Sequence, residues 1–369
     1  MVNKLYYHVN FNAPSFVPMS LLVNRSIFLG QHCSATIYAP SVKGIGGYST
    51  QFRISDTIKA AIGEHIERTS LYINAGNFKS EKCVAFNLIT GEVIEVPASR
   101  ILLNYNSKIF KGKEINDDYN DSCGVASYLD SSSAITNAFL EFFERQSLIY
   151  NWLTQSKGSR IDLSSIENPK LRSIIKKSFH FIDEFHIIDI SIHPSINVAL
   201  SLGIGEHYMG MGASANWDLE KAMMDSIKEM FQCFSINLQT DRQKLRSGDE
   251  YDSDYYFKYL FTHFDPQKLR QAYSYLIDSP KIKNITDKRN FPDNFTDRIL
   301  QISQDLDLNL YACFIPTVKR GLKTKIVKVF SPEGYPHMNT KKINPMDYHI
   351  THSLGRTEFP NLYKPLPFP

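Results

Sequence analysis

Apolar and polar positions along the chain change period several times, and each change marks a new element. Apolar residues spaced three and four apart predict a helix over 57–74, a second over 130–153 and a third over about 218–237. Alternating stretches between them predict strands: 82–104 around a Thr90-Gly91 turn, 179–212, and 308–331. Residues 1–56, rich in Asn, Ser, Pro and Gly, read as short strands and loops, with Gly44 to Gly47 as a loop cluster. Lys111 to Ser122 reads as a surface loop. Residues 239–290, charged and aromatic, read as a peripheral helical insertion, and a proline-rich tail covers 360–369. Strand groups interrupted by long helices predict an α+β, or mixed α/β, fold. The expected organisation is a single domain over 1–369, with N-terminal strands and loops over 1–40.

The first two helices repeat one another. Residues 58–73 (IKAAIGEHIERTSLYI) and 135–150 (ITNAFLEFFERQSLIY) share Glu-x-x-Glu-Arg-x-Ser-Leu in register. A third segment from Ala222 keeps the spacing but ends in Glu229-x-x-Gln232. One such motif is ordinarily an exposed i, i+4 ion pair contributing about 0.3–0.5 kcal/mol. Here the recurrence and the direction of the acids argue otherwise. At 100° per residue, Asn137, Glu141, Glu144 and Asn151 fall within about 40° of one line. The rest of that helix is apolar, which predicts burial, so its acidic stripe faces a cleft or another buried element. Glu64 and Glu67 are likewise set apart from Ile58, Ile62, Ile66 and Ile73.

Converging buried carboxylates repel one another and lose hydration, at a cost of several kcal/mol unless compensated. Arg68 and Arg145 offer one compensation, and a divalent cation offers another. An all-oxygen donor set suits a hard cation such as Mg²⁺, which commonly completes its shell with phosphates and water. A nucleotide site with acids on the metal and Arg68 and Arg145 on phosphate is the functional reading.

Charge and cysteine content narrow the classes. Lys plus Arg is 41 against 38 for Asp plus Glu, a net +3 that disfavours a nucleic-acid binder. The one basic stretch, Lys319 to Lys328, reads as a solvated strand or loop. Five dispersed cysteines spell neither a disulfide framework nor a zinc site. With no apolar leader after Met1 and no run long enough to span a bilayer, a cytoplasmic, membrane-free location is expected. Cys123 and His337 read as core or turn residues.

The ordered set Glu64-x-x-Glu67-Arg68, Glu141-x-x-Glu144-Arg145 and Glu229-x-x-Gln232 resembles the YcaO family, in which such helices bind ATP without a Walker loop. Asp121-Ser-Cys-Gly124, EFFERQSLIYNW from Glu141 to Trp152, Ser331 to Asn339 and the Pro367-Phe368-Pro369 terminus resemble its azole-microcin synthetase branch. The resemblance implies a YcaO-type fold and ATP-dependent cyclodehydration of Cys, Ser or Thr in a ribosomal precursor peptide. It implies ATP and Mg²⁺ as cofactors, with metal on Glu64, Glu67, Glu141 and Glu144. Nucleotide contacts would come from Arg68, Ala126, Ser133, Arg145, Glu229, Gln232 and Arg320. The Pro367 to Pro369 tail would act at the reacting groups, and its deletion should change activity far more than stability.

Expected partners are a leader-binding E1-like subunit and an FMN-dependent dehydrogenase, since no extra leader-binding domain is evident before residue 40. Thioamide or amidine formation, or a non-catalytic ATP-binding scaffold, are the alternatives. The chain departs from the family at Ser133, where many members carry Glu, at Gly46-Gly-Tyr-Ser49 in place of a Gly-Lys-Gly-like segment, and at Asp225 in place of Arg or Lys.

Overall fold

A computed structural model of the chain describes residues 5–8, 20–25, 31–36, 46–77, 82–103, 120–239, 256–285, 294–317 and 323–369. The three motif segments are long helices: α1 (Ile54–Asn77), α2 (Ser131–Thr154) and, after the short α3 (Pro169–Ser178), α4 (Leu219–Gln239). The chain divides into two compact units. Unit 1 comprises Met1–Phe142 and Asn309–Pro332, and unit 2 comprises Phe143–Leu308 and Glu333–Pro369. The division falls within α2.

Unit 1 carries two antiparallel sheets. The first is β1 (Leu5–His8), β2 (Ser20–Arg25), β3 (Gln31–Thr36) and β4 (Gly46–Gln51), in that order. The second has the order β6-β5-β13-β14-β7, from β5 (Lys82–Asn87), β6 (Val93–Pro97), β7 (Val125–Tyr128), β13 (Tyr311–Ile315) and β14 (Lys325–Phe330). Helix α1 is buried by both: Ala61 packs with Val23, and Leu71 and Ala75 join Cys83, Ala85, Cys313 and Ile326 in the larger core.

Unit 2 holds a sheet ordered β11-β10-β9-β8-β12, from β8 (Ser159–Ile161), β9 (Glu184–Asp189), β10 (Asn197–Ile204), β11 (Met209–Asn216) and β12 (Ile282–Lys283). Helix α4 lies across β10 and β11, burying Ile227, Met230, Phe231 and Phe234. Helices α5 (Tyr256–His263), α6 (Pro266–Ala272), α7 (Ser274–Ile277), α8 (Phe295–Leu306) and α9 (His349–Ser353) complete this unit.

The mixed α/β expectation holds, and four local expectations are corrected. Gly46 and Gly47 lie in strand β4, not in a loop. Asn120 and Asp121, assigned to a surface loop, are buried, as is Lys328 from the stretch expected to be solvated. The Lys328 ammonium donates to Asn120 Oδ1 at 2.8 Å and to the Asp121 carbonyl at 2.9 Å. Burial pushes its pKa down, because a desolvated ammonium favours losing its proton. The described part of 239–290 is helical but not peripheral: Leu269, Tyr273, Leu276 and Ile277 are buried, and β12 extends the sheet. Among the described residues no helix is long and apolar enough to cross a membrane.

Candidate functional site

In unit 1, α1 and the first part of α2 bring Glu64, Glu67 and Glu141 into one electrostatic neighbourhood. The Glu67 carboxyl is pushed well above the usual carboxylate range, first by burial, then by the charges of Glu141 and Glu64. Arg68 and the Ser127 hydroxyl, which also donates to the Gly63 carbonyl at 3.1 Å, act in the opposite sense. Glu64 is held at both oxygens. Oε2 accepts the Tyr48 backbone N–H at 2.5 Å, and Oε1 pairs with Arg68 at 2.7 Å. Arg68 also donates to the Gly46 carbonyl at 3.4 Å.

In unit 2, Glu144 is 7% exposed and held in the same manner. Its Oε2 accepts the Ala215 N–H at 3.2 Å and its Oε1 pairs with Arg145 at 3.0 Å. Glu229 follows suit: Oε2 accepts from Ala213 N at 2.7 Å, and Oε1 faces Arg145 at 4.0 Å. Each of these three carboxylates therefore has a strand N–H on one oxygen and a motif arginine on the other. The strand N–H bonds to these carboxylates are charge-assisted, stronger than neutral ones, and fix orientation.

The proline-rich tail belongs to unit 2 and is anchored. Leu366 and Phe368 are fully buried, and the Phe368 ring lies 5.2 Å beneath the Arg145 guanidinium. Trp152 Nε1 and Thr340 Oγ1 both donate to the Lys364 carbonyl, at 3.2 and 2.7 Å, and Tyr273 Oη donates to the Pro367 carbonyl at 3.3 Å.

The structure thus gathers Glu64, Glu67, Glu141 and Arg68 in unit 1, and Glu144, Arg145, Glu229 and the tail in unit 2. Gln232 is half-buried on α4. Ala126 is buried in β7, paired with Val327. The Ser133 N–H is taken by the Asp130 carboxylate at 2.7 Å, as the N-terminal cap of α2. Arg320 lies outside the described residues.

Among the described residues, no three His, Cys, Asp or Glu side chains stand as a ready-made metal cluster. The residues nonetheless fit Mg²⁺ by chemistry: the donors are carboxylate oxygens, and the penalty on Glu67 is one that a hard cation relieves. A cavity of about 380 Å³ in unit 2, lined by Asn151, Asp189, His193 and Lys281, contains none of the motif residues. Sequence reasoning missed Tyr48, Ser127, Ala213 and Ala215. Three of these act through the backbone, and the one trace in the sequence is the 16-residue interval shared by Tyr48 and Ala213 to Glu64 and Glu229.

The family model described as YcaO cyclodehydratase, ATP- and Mg²⁺-binding, matches residues 79–333, well over half of the chain. No curated protein sequence matches it. Among solved structures, a chain of the E. coli microcin synthetase McbBCD complex with pro-MccB17 bound is 18% identical, with a TM-score of 0.71 over 99% of this chain and 100% of that one. A heterocyclase in complex with substrate and cofactor is 13% identical, at 0.63 over 91% of this chain and 50% of that one. YcaO from Methanopyrus kandleri bound with AMPPCP and Mg²⁺ is 15% identical, at 0.60 over 91% and 86%. At such identities the likeness is one of fold. The second and third motifs lie within the family match and the first just before it, and the chain belongs to the YcaO family of ATP- and Mg²⁺-binding cyclodehydratases.

Proposed function

We propose that this chain is an ATP-dependent cyclodehydratase that forms thiazoline or oxazoline rings in a ribosomal precursor peptide. The observation that carries the reading is geometric: the motif glutamates Glu64, Glu144 and Glu229 each have one carboxylate oxygen fixed by a strand N–H and the other facing a motif arginine. This is an oriented set of oxygen donors and guanidinium groups suited to a cation and phosphate. Glu64, Glu67, Glu141 and Glu144 hold Mg²⁺, and Arg68 and Arg145 neutralise phosphate. Glu229, Gln232, Ala126, Ser133 and Arg320 contact the nucleotide, and Pro367, Phe368 and Pro369 order the reacting groups. Mg²⁺ would supply charge neutralisation for the phosphates, and ATP the phosphoryl group.

In the substrate, a Cys thiol or a Ser or Thr hydroxyl adds to the preceding amide carbonyl, and a carbon–sulfur or carbon–oxygen bond forms. The former amide oxygen takes the γ-phosphoryl group, ADP leaves, and phosphate is then expelled as a C=N bond forms and the amide proton is lost. Amide oxygen is a poor leaving group until phosphorylated, so the protein's task is positioning and neutralising charge. An E1-like leader-binding subunit and an FMN-dependent dehydrogenase are the partners. A complex holding pro-MccB17 among the structural neighbours supports a peptide substrate and a multisubunit setting.

Phosphate release and intact peptide mass test the reading together. Cyclisation predicts one phosphate released and one water lost per ring. A gain in peptide mass would indicate thioamidation, and no peptide-dependent phosphate release would indicate a scaffold.

A further inference from the structure

The motif helices share more than their glutamates. Each follows an edge strand of its sheet, as far as the described residues show: β4 before α1, β7 before α2 and β11 before α4. The connections are Phe52-Arg53, Leu129-Asp130 and Trp217-Asp218. The second residue of each connection accepts the same helix N–H, from Thr57, Ala134 and Ala222, at 3.0, 3.2 and 3.0 Å.

Sixteen residues before the first motif glutamate, the strand offers a backbone N–H: Tyr48 to Glu64 and Ala213 to Glu229. Val125 holds that position before Glu141, but its N–H turns to the Ser122 carbonyl at 3.2 Å, where Gly124 adopts a left-handed φ of 70°. The residue before each of these positions is glycine: Gly47, Gly124 and Gly212.

The reason for glycine is steric. A Cβ on Gly47 would collide with the Ala61 carbonyl oxygen and the His65 nitrogen. A Cβ on Gly212 would collide with the Ser226 carbonyl oxygen and the Met230 nitrogen, the same two helix positions relative to the glutamate. Both obstacles are backbone, which no rotamer change relieves. Only a residue without a side chain lets strand and helix approach this closely, and the approach brings the next N–H to the carboxylate. An edge strand has outward N–H groups to spare for such a use.

We propose that Gly47 and Gly212 are positioning residues, which set Glu64 and Glu229 for metal and nucleotide by seating the Tyr48 and Ala213 N–H groups on their Oε2 atoms. This rests on the nucleotide reading above. The two sites act alike in separate units, so each can be tested alone.

The test measures ATP binding to the full-length chain by titration calorimetry across a Mg²⁺ series, with thermal unfolding recorded in parallel. Gly47→Ala, behind a metal-holding glutamate, should raise the half-saturating Mg²⁺ concentration roughly tenfold or more, the scale on which groups supporting metal ligands act. Gly212→Ala, behind a nucleotide-contacting glutamate, should weaken ATP affinity at saturating Mg²⁺ by a similar factor. A backbone ester at residue 48 or at residue 213, which deletes the N–H and adds no atom at the preceding glycine, should act as the matching alanine variant does; it decides the matter if the alanine variants do not fold. Gly158→Ala meets the Ile188 side chain and the Asp189 carbonyl oxygen away from any motif glutamate. It should lower thermal stability and leave the Mg²⁺ requirement in place. A Mg²⁺ requirement within twofold of the unaltered protein in folded Gly47→Ala or the ester at 48, or an ATP affinity within twofold in folded Gly212→Ala or the ester at 213, overturns the positioning role alone. Absence of Mg²⁺-dependent ATP binding by the unaltered protein overturns the nucleotide reading, and the proposal with it.

Discussion

Glu64 and Glu144 combine ligand chemistry with defined supports, which makes them the sharpest residue-level test of the metal assignment. In Glu64→Gln or Glu144→Gln the amide oxygen can still accept the Tyr48 or Ala215 N–H, so the local fold should survive. A neutral amide is a poor Mg²⁺ ligand, and its loss of charge also relieves repulsion. We expect ATP turnover to vanish while circular dichroism and the unfolding temperature stay close to those of the parent, read by phosphate release and thermal melts. Near-normal turnover with normal nucleotide affinity in either variant would remove those residues from the metal site. The glutamates themselves were legible in the sequence, because an acidic stripe repeated on apolar helices is costly to bury unless a cation or a basic partner meets it. Their supports were not legible, because a backbone N–H carries no side-chain signature. Lys328 was misread for a related reason: its neighbours along the chain suggested solvent, whereas its partner Asn120 lies 208 residues away.

At the scale of elements, periodicity placed the three motif helices to within a few residues, and the tail is where packing added most. A proline-rich end, stiff and without backbone donors, orders at low entropic cost. Burial of Leu366 and Phe368 is what anchors it here. Deleting Pro365 to Pro369 should still lower cyclisation at least ~10-fold, about 1.4 kcal/mol. The expectation that stability would barely change is revised, since each buried apolar side chain contributes roughly 1.5–3 kcal/mol. The double substitution Pro367→Ala with Pro369→Ala keeps both anchors, and should reduce cyclisation with little change in melting temperature.

Tyr273 gives a second handle on the same element. Burial holds its phenol well above the ordinary tyrosine range, so it stays protonated in the fold while the unfolded chain ionises near pH 10. Its contribution is therefore complete below about pH 10 and is lost as pH rises further. Tyr273→Phe, missing the bond to the Pro367 carbonyl, should be less stable at neutral pH by about 0.5–1.5 kcal/mol. Between about pH 9 and 11 its melting temperature should fall less steeply than the parent's. Parallel slopes would mean that Tyr273 ionises in the folded protein.

For the whole molecule, the question is what the chain can do unaided. It spans all of the microcin synthetase chain that it resembles, and half of the heterocyclase chain. The first of those was solved as a complex holding pro-MccB17. Of the residues proposed above to bind nucleotide and metal, all but Arg320, which lies outside the described residues, are on the motif helices, the strands beside them or the tail. Their proposed tasks are nucleotide, metal and the reacting groups, and the net charge of +3 supplies no strong field to gather a peptide from solution. We therefore expect these 369 residues alone to bind Mg²⁺ and ATP yet cyclise a precursor slowly and without regard to its leader. Adding an E1-like leader-binding subunit should raise ring formation and make it leader-dependent. An FMN-dependent dehydrogenase should then convert the rings to azoles, with a further loss of two hydrogens per ring. Intact-mass measurement of the precursor under the three conditions separates these steps. Rapid, leader-dependent cyclisation by the isolated chain would place peptide recognition within it and refute the division of labour.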